Sequence, residues 1–184
     1  MSTPEQTANV LGAMALVVSD QTAGAIVAAG GQSDSAAAAI SALHQFLDRP
    51  TLDELGRVLG LTHSGTVRLV DRLTRAGLVV RGSGADGRSR SVTLTGEGRR
   101  AGERIAVARA GLLAGLLAGF SPAEQETLHA LLGRLMAAVV QQKDGGAWIC
   151  RLCDLQACGR PAGECPAATA ARLKYGPPPG ESVQ

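Results

Sequence analysis

The chain has 184 residues, 45 % of them apolar and only 2 % aromatic, with a net charge of +2. That suffices for one domain with an appendage and for a core filled by Leu, Val, Ile and Ala, a composition that favours helices. No run of about 18 uncharged apolar residues occurs, and residues 1–6 lack a basic leader; both facts argue against a membrane span or signal peptide and for a cytoplasmic protein.

Residues 5–29 have a helical pattern with Leu11, Met14, Val18 and Ala25 near one face, stopped by Gly30 and Gly31. A second helix begins at Ser33 and Asp34, aligns Ala36, Ile40, Leu43 and Leu47, and ends before Pro50. Thr51 and Glu54 have capping-box spacing for a third helix, with Leu52, Leu55, Val58 and Leu59 on its buried face and Gly60 as its C-cap. After Leu61 alone, Thr62 caps a fourth helix with Val67, Val70 and Leu73 on its apolar side and Gly77 at its end. The period then changes: residues 78–81 and 91–95 are short β-prone runs around a Gly/Asp-rich loop, 82–87, the pattern of a hairpin. A helical pattern returns from Thr95 to about Gly119, with Ile105, Ala108, Leu112 and Leu116 sharing a face. Ser121, Pro122 and Glu124 then open a helix reaching Lys143, with Leu128, Leu131, Leu132, Leu135 and Val139 expected to face inward. A cysteine-bearing segment and a Pro/Gly tail follow. The expected class is mainly α with a small β-hairpin. Its parts are N-terminal helices (1–47), a helix-turn-helix with hairpin wing (48–96), C-terminal helices (97–146), the cysteine segment (147–175) and a disordered tail (176–184).

Charge is unevenly spread. Between Arg49 and Arg109 there are 12 Arg against 6 Asp or Glu, a basic middle within an acidic frame. Charge alone leaves two readings open, a polyanion-binding surface and a merely solvated basic face. Helix, tight turn, helix and hairpin in that order make a winged helix-turn-helix. The second of its helices must enter a major groove about 12 Å wide, which asks for short, hydrogen-bonding side chains at its N-terminal end. Thr62, His63, Ser64 and Thr66 supply them, with Gly65 among them. Arg68, Arg72 and Arg75 recur at i, i+4 and i+7, a stripe long enough to reach bases or flanking phosphates. In the wing, Arg88 and Arg90 lie at the tip and descending strand, where a narrow minor groove attracts arginine.

Residues 52–62 and 67–79, together with the run Asp86-Gly87-Arg88-Ser89-Arg90-Ser91-Val92-Thr93-Leu94-Thr95-Gly96-Glu97-Gly98, resemble the DNA-binding core and wing of the MarR family of repressors. The likeness is strong over roughly 50 residues and weaker over 5–143. It implies that double-stranded DNA is the partner, that Asp86 braces Arg88 or Arg90, and that Arg88 enters the minor groove. Gly87 stands where the family usually has Pro. The resemblance also implies a homodimer on a pseudo-palindrome, and a small aromatic acid as effector in some members, although no residue here identifies such a ligand. The dimer has independent support: the three long helices carry more apolar surface than a winged helix can cover.

Cys150, Cys153, Cys158 and Cys165 are the only cysteines, spaced C-x2-C-x4-C-x6-C. In a reducing compartment disulfides are disfavoured, and four thiols in so short a segment suggest one metal site. A structural Zn²⁺ and an iron–sulfur cluster fit about equally. Unliganded thiols and a metal-free thiol switch stay open. The segment lies outside the MarR pattern, although its spacing and Cys165-Pro166 ending are similar to the cluster segment of redox-sensing MerR-type regulators. Trp148 and Ile149 are expected to pack it on the C-terminal helices, so that its state would act through helix 121–143. No nucleophile elbow, H-E-x-x-H or phosphate loop points to an enzyme. A winged-helix protein-interaction adaptor is the remaining alternative, and it would have no use for the arginine stripe.

Overall fold

The computed structural model describes residues 2–30, 33–83, 90–142 and 147–176. In chain order these form α1 (Pro4–Gly30), α2 (Asp34–Gln45), α3 (Leu52–Leu59), α4 (His63–Arg75), β1 (Val79–Ser83), β2 (Arg90–Leu94), α5 (Gly96–Leu117), α6 (Pro122–Gln142), a 3-10 turn (Ala147–Cys150) and α7 (Pro166–Tyr175). The mainly helical class with one small hairpin holds. The expected disordered tail lies, apart from Gly176, outside the described residues.

Local chemistry sets the boundaries. At α3 the Glu54 amide donates to Thr51 Oγ1 at 3.2 Å and the Thr51 amide donates to Glu54 Oε2 at 2.8 Å, a closed capping box. Gly60 ends α3 at φ +67°, a left-handed conformation that only glycine adopts without strain. Thr62 Oγ1 then accepts from the Gly65 amide at 3.2 Å and starts α4. The hairpin is antiparallel, pairing Val79 with Leu94 and Ser83 with Arg90; the strands therefore include Gly82 and Ser83, which the sequence assigns to the loop. The Val92 amide donates to Pro50 O at 3.0 Å, tying the wing to the entry of α3.

One core unites these elements: Ala36, Ala37, Ala39 and Ile40 of α2 pack with Leu55, Leu69, Val70, Leu73, Val79, Val92, Ala101 and Ile105. α2 is thus the floor of the winged domain, whereas the sequence groups it with the N-terminal helices. Four consecutive alanines leave no polar face from which periodicity could be read. A second cluster joins Val140 of α6 to Cys165, Ala167 and Ala170.

Two glycines set the spacing between elements. A Cβ on Gly98 would stand 2.0 Å from Leu78 O, and one on Gly56 would stand 2.7 Å from Thr66 Oγ1, so each position admits only hydrogen.

The long helices depart from expectation. Leu131, Leu132, Leu135 and Val139 of α6 are 41–50 % exposed rather than inward, and Val10, Leu11 and Met14 of α1 are 45–66 % exposed. α1 also passes the length and apolarity test for a membrane span, with mean hydropathy 1.6, where the sequence reading finds no such segment. That test is met equally by helices of packed proteins, and α1 sets Thr22 and Ile26 into the protein interior.

Candidate nucleic-acid interface

Helix α4 has two unlike sides. Its inner side carries Thr66, Leu69, Val70 and Leu73, all buried. Its outer side carries Ser64, Arg68, Arg72 and Arg75, all exposed. Thr66, expected among the DNA contacts, belongs to the inner side: it is 0 % exposed, and its Oγ1 donates to Thr62 O at 3.0 Å. The reason is the helix period. Thr66 is four residues before Val70 and three before Leu69, so it shares their face. Val67, expected on the apolar side, is only half-buried, and Leu69 takes its place in the core.

The N-terminal end of α4 is held rather than loose. Thr62 is the N-cap, and its hydroxyl also lies 3.4 Å from Ser64 Oγ. His63 Nδ1 is 2.8 Å from Asp53 Oδ1 of α3, a contact that locks the two helices of the motif at their exposed junction. Arg81 of β1 pairs with Asp71 of α4 at 2.8 Å, fixing the wing strand against the recognition helix. Sequence reasoning missed both acidic partners, because neither 53/63 nor 71/81 is a spacing within one helix. Arg90 opens β2 and is exposed; Asp86 and Arg88 lie outside the described residues.

At the base of the wing, Thr95 Oγ1 accepts from the Gly98 amide at 3.0 Å and donates to Gly77 O at 2.6 Å. The Thr95 amide donates to Leu78 O at 3.0 Å. Recognition helix, wing and α5 therefore meet at one hydrogen-bonded joint.

The four cysteines form a separate group. Cys150 and Cys165 are buried and Cys153 and Cys158 half-buried, all with free thiols. Cys153 Sγ donates to Ile149 O at 3.9 Å and Cys158 Sγ to Leu155 O at 3.5 Å. The neighbouring Cys150 thiol holds the Cys153 thiol down at about 6, helped by the cations Arg109, Arg160 and Arg151. The neighbouring Cys153 thiol, with burial, pushes the Cys150 thiol up, and burial raises Cys158. Among the described residues no three His, Cys, Asp or Glu side chains already stand as a metal-holding set.

The segment ends in α7, which sequence reading leaves out. Its signal is Cys165 at the N-cap position, Pro166 in the first turn, an alanine-rich body, and Arg172 and Lys174 in the last turn.

This arrangement defines a winged helix-turn-helix protein. Residues 31–89 match the MarR family model, and the fold is the mainly helical winged helix with one small hairpin that this family's structures show. No curated protein matches the sequence. Among solved structures it is similar to a probable transcriptional regulator from Pseudomonas aeruginosa, at 28 % identity over 67 % of this chain and 95 % of that one, TM-score 0.54. It is also similar to a MarR family protein from Bacillus stearothermophilus, at 25 % identity over 75 % of this chain and 99 % of that one, TM-score 0.66. A likeness of fold alone, at 18 % identity, extends to a Staphylococcus aureus MepR mutant bound to an oligodeoxyribonucleotide, over 72 % of this chain and 97 % of that one, TM-score 0.54.

Proposed function

We propose that this chain is a cytoplasmic repressor that binds a pseudo-palindromic DNA duplex as a homodimer, laying α4 in the major groove and the wing along the backbone or minor groove. One observation carries the reading. Ser64, Arg68, Arg72 and Arg75 form an exposed stripe on a helix whose other face is locked in the core, so these cations are presented on a rigid support. Thr62 and His63 lie at its N-terminal end, where the helix dipole favours a phosphate. Arg90, exposed at the start of β2, extends the same cationic surface. Thr66 is left out.

The exposed apolar faces of α1 and α6 support the dimer, since apolar surface of this extent is normally covered by a partner. The groove between α2, β2 and α5, lined by Leu43, Leu47, Asp48, Leu94 and Arg99, is the site we assign to a small effector. The four cysteines form a metal-thiolate site, for Zn²⁺ or an iron–sulfur cluster, and give the regulator a metal or redox input.

The test is selection of duplexes from a random pool by the purified full-length chain, with light scattering for mass. The reading predicts recovery of a two-fold symmetric site with half-sites about one helical turn apart, bound by a dimer. A monomer, or no enrichment at low ionic strength, overturns it.

A further inference from the structure

The chain bends by 116° between α5 and α6, and among the described elements α6 packs extensively on α7 alone. That contact runs along the helix. A Cβ on Gly133 would stand 3.5 Å from Pro166, at the start of α7. Val140 is buried with Ala167 and Ala170, and the Gln141 side-chain amide donates to Ala170 O at 3.4 Å. Lys174 Nζ donates to Gln141 O at 2.8 Å and to Val140 O at 3.1 Å. These carbonyls belong to the last turn of α6, where a helix leaves its acceptors without an intrahelical donor.

The segment before α7 is anchored on the winged domain instead. Its 3-10 turn lies against α3, and Leu152 packs on the main core. Arg151 braces the turn: its Nη1 donates to Trp148 O at 2.7 Å, and its guanidinium stands 5.6 Å from the centre of the Trp148 ring. The Leu155 amide donates to Gln45 Oε1 at 3.2 Å, at the last residue of α2. The Arg160 guanidinium lies 5.9 Å from the centre of the ring of Phe46, the next residue, within reach of a cation–π contact. Around the first anchor Asp154 Oδ1 accepts from the Gln156 and Ala157 amides at 2.9 and 3.2 Å. The segment therefore crosses to α2 as a fixed turn rather than a slack loop.

α6 is thus tied to the winged domain twice, through α5 and through residues 147–175. α5 rests on α2, so α2, α5, α6 and the segment close a triangle with one corner at the end of α2, the floor of the winged domain. A single link at the α5–α6 bend would act as a hinge; the second link removes that freedom. We propose that Gln45, Phe46 and Arg160 are positioning residues for DNA recognition: they fasten the C-terminal segment to α2, so that the winged domain stands at one angle to α6 and the two recognition helices of the dimer at one separation. The consequence for DNA rests on the regulator reading; the fastening does not. None of the three residues lies on the α4 stripe or in the wing, so they act through position and not by touching the duplex. The sequence leads to the expectation that the segment acts through α6; its anchor on α2 joins residues 110 apart in the chain, which no local pattern encodes.

The experiment uses the full-length chain, the duplex recovered by selection, and a series in which its half-sites are moved apart by about one and two base pairs. Affinity across the series, mass by light scattering and amide exchange are compared for the native chain, Gln45→Ala, Arg160→Ala, and the conservative Gln45→Glu and Arg160→Lys. The last two keep an acceptor for the Leu155 amide and a cation beside Phe46. The alanine variants should remain dimers and exchange faster by about tenfold in residues 45–59 and 151–160. They should lose about tenfold in affinity for the selected duplex and little on the spaced ones, so that the preference for one spacing shrinks. The conservative variants should restore both. Lys174→Met, at the α6 end of the segment, should speed exchange in residues 45–59 from the far side. A merely structural role would weaken every spacing alike, and that result overturns the proposal. Native spacing preference in both alanine variants also overturns it, as does exchange in Lys174→Met that quickens only in α6 and α7. A native chain that binds no duplex, while the Lys174→Met effect still reaches residues 45–59, would refute the regulator reading and leave the fastening of α6 to α2 standing.

Discussion

Gly98 lies where α5 crosses the base of the wing, and replacing it with alanine tests that joint. The added Cβ would sit 2.0 Å from Leu78 O and 3.0 Å from the Leu78 carbonyl carbon. Both atoms are backbone, so no side-chain rotation relieves the overlap, and α5 must move away from β1 by about 1 Å to restore ordinary contact. Overpacking of this kind costs about 1–3 kcal/mol, and a backbone obstacle puts it at the upper end. The same movement stretches the 3.0 Å bond from the Thr95 amide to Leu78 O, adding about 1 kcal/mol. The helix-propensity gain of alanine over glycine returns at most about 1 kcal/mol. Gly98→Ala should therefore destabilise the fold by about 3 kcal/mol in urea unfolding. Gly96→Ala is the control: its Cβ would meet only Arg100 Nη1, at 3.8 Å, so it should be neutral or slightly stabilising. Equal stability of the two variants would refute the packing argument.

Four further outcomes follow from the same geometry. Thr51→Ala opens the α3 capping box and should cost about 1 kcal/mol. The box also predicts a pH dependence: bonds from the Thr51 amide and hydroxyl hold the Glu54 carboxyl below its ordinary 4.5. A depressed folded value means that its stabilisation is present above pH 4.5 and is lost as pH falls through the folded value, so Glu54→Gln should flatten this part of the acid limb of stability. Asp71→Asn breaks the ion pair with Arg81, which is half-exposed and so worth no more than about 1 kcal/mol to stability. Its larger effect should be faster exchange in β1 and β2, seen by amide exchange, and an unchanged wing would contradict a bracing role. Leu135→Lys places a charge in the exposed apolar face of α6 and should convert dimer to monomer by light scattering while helical content holds; a dimer of unchanged affinity would show that this face is not the contact.

Much of this molecule is legible in the sequence because its signals are local. The Thr51/Glu54 spacing, Gly60, Thr62 and Gly77 each act within one turn of chain, and each element falls where they place it. The exposed arginine stripe of α4 is equally legible, since a 3.6-residue period sorts Arg68, Arg72 and Arg75 away from Val70 and Leu73. What is lost is long-range. The role of α2 as a floor depends on burial all round four alanines, and the Arg81–Asp71 and His63–Asp53 contacts join elements whose approach no pattern encodes. Thr66 misleads because a small polar residue at a helix start suits a DNA contact as well as it suits the tight α3–α4 crossing at Gly56. Leu131, Leu135 and Val139 misleadingly suggest an inward face because periodicity finds an apolar stripe without saying which chain covers it.

The central claim is that α4 presents its arginines to a DNA duplex. Its most direct measurement is the salt dependence of binding to the selected duplex for the native chain and for the Arg68→Ala, Arg72→Ala and Arg75→Ala variants, each checked for native helical content. The account predicts steep weakening with salt, a loss of about 1–3 kcal/mol for a variant that removes a base contact, and a log–log slope shallower by about one for a variant that removes a phosphate contact. Three folded variants that match the native affinity and slope would contradict it.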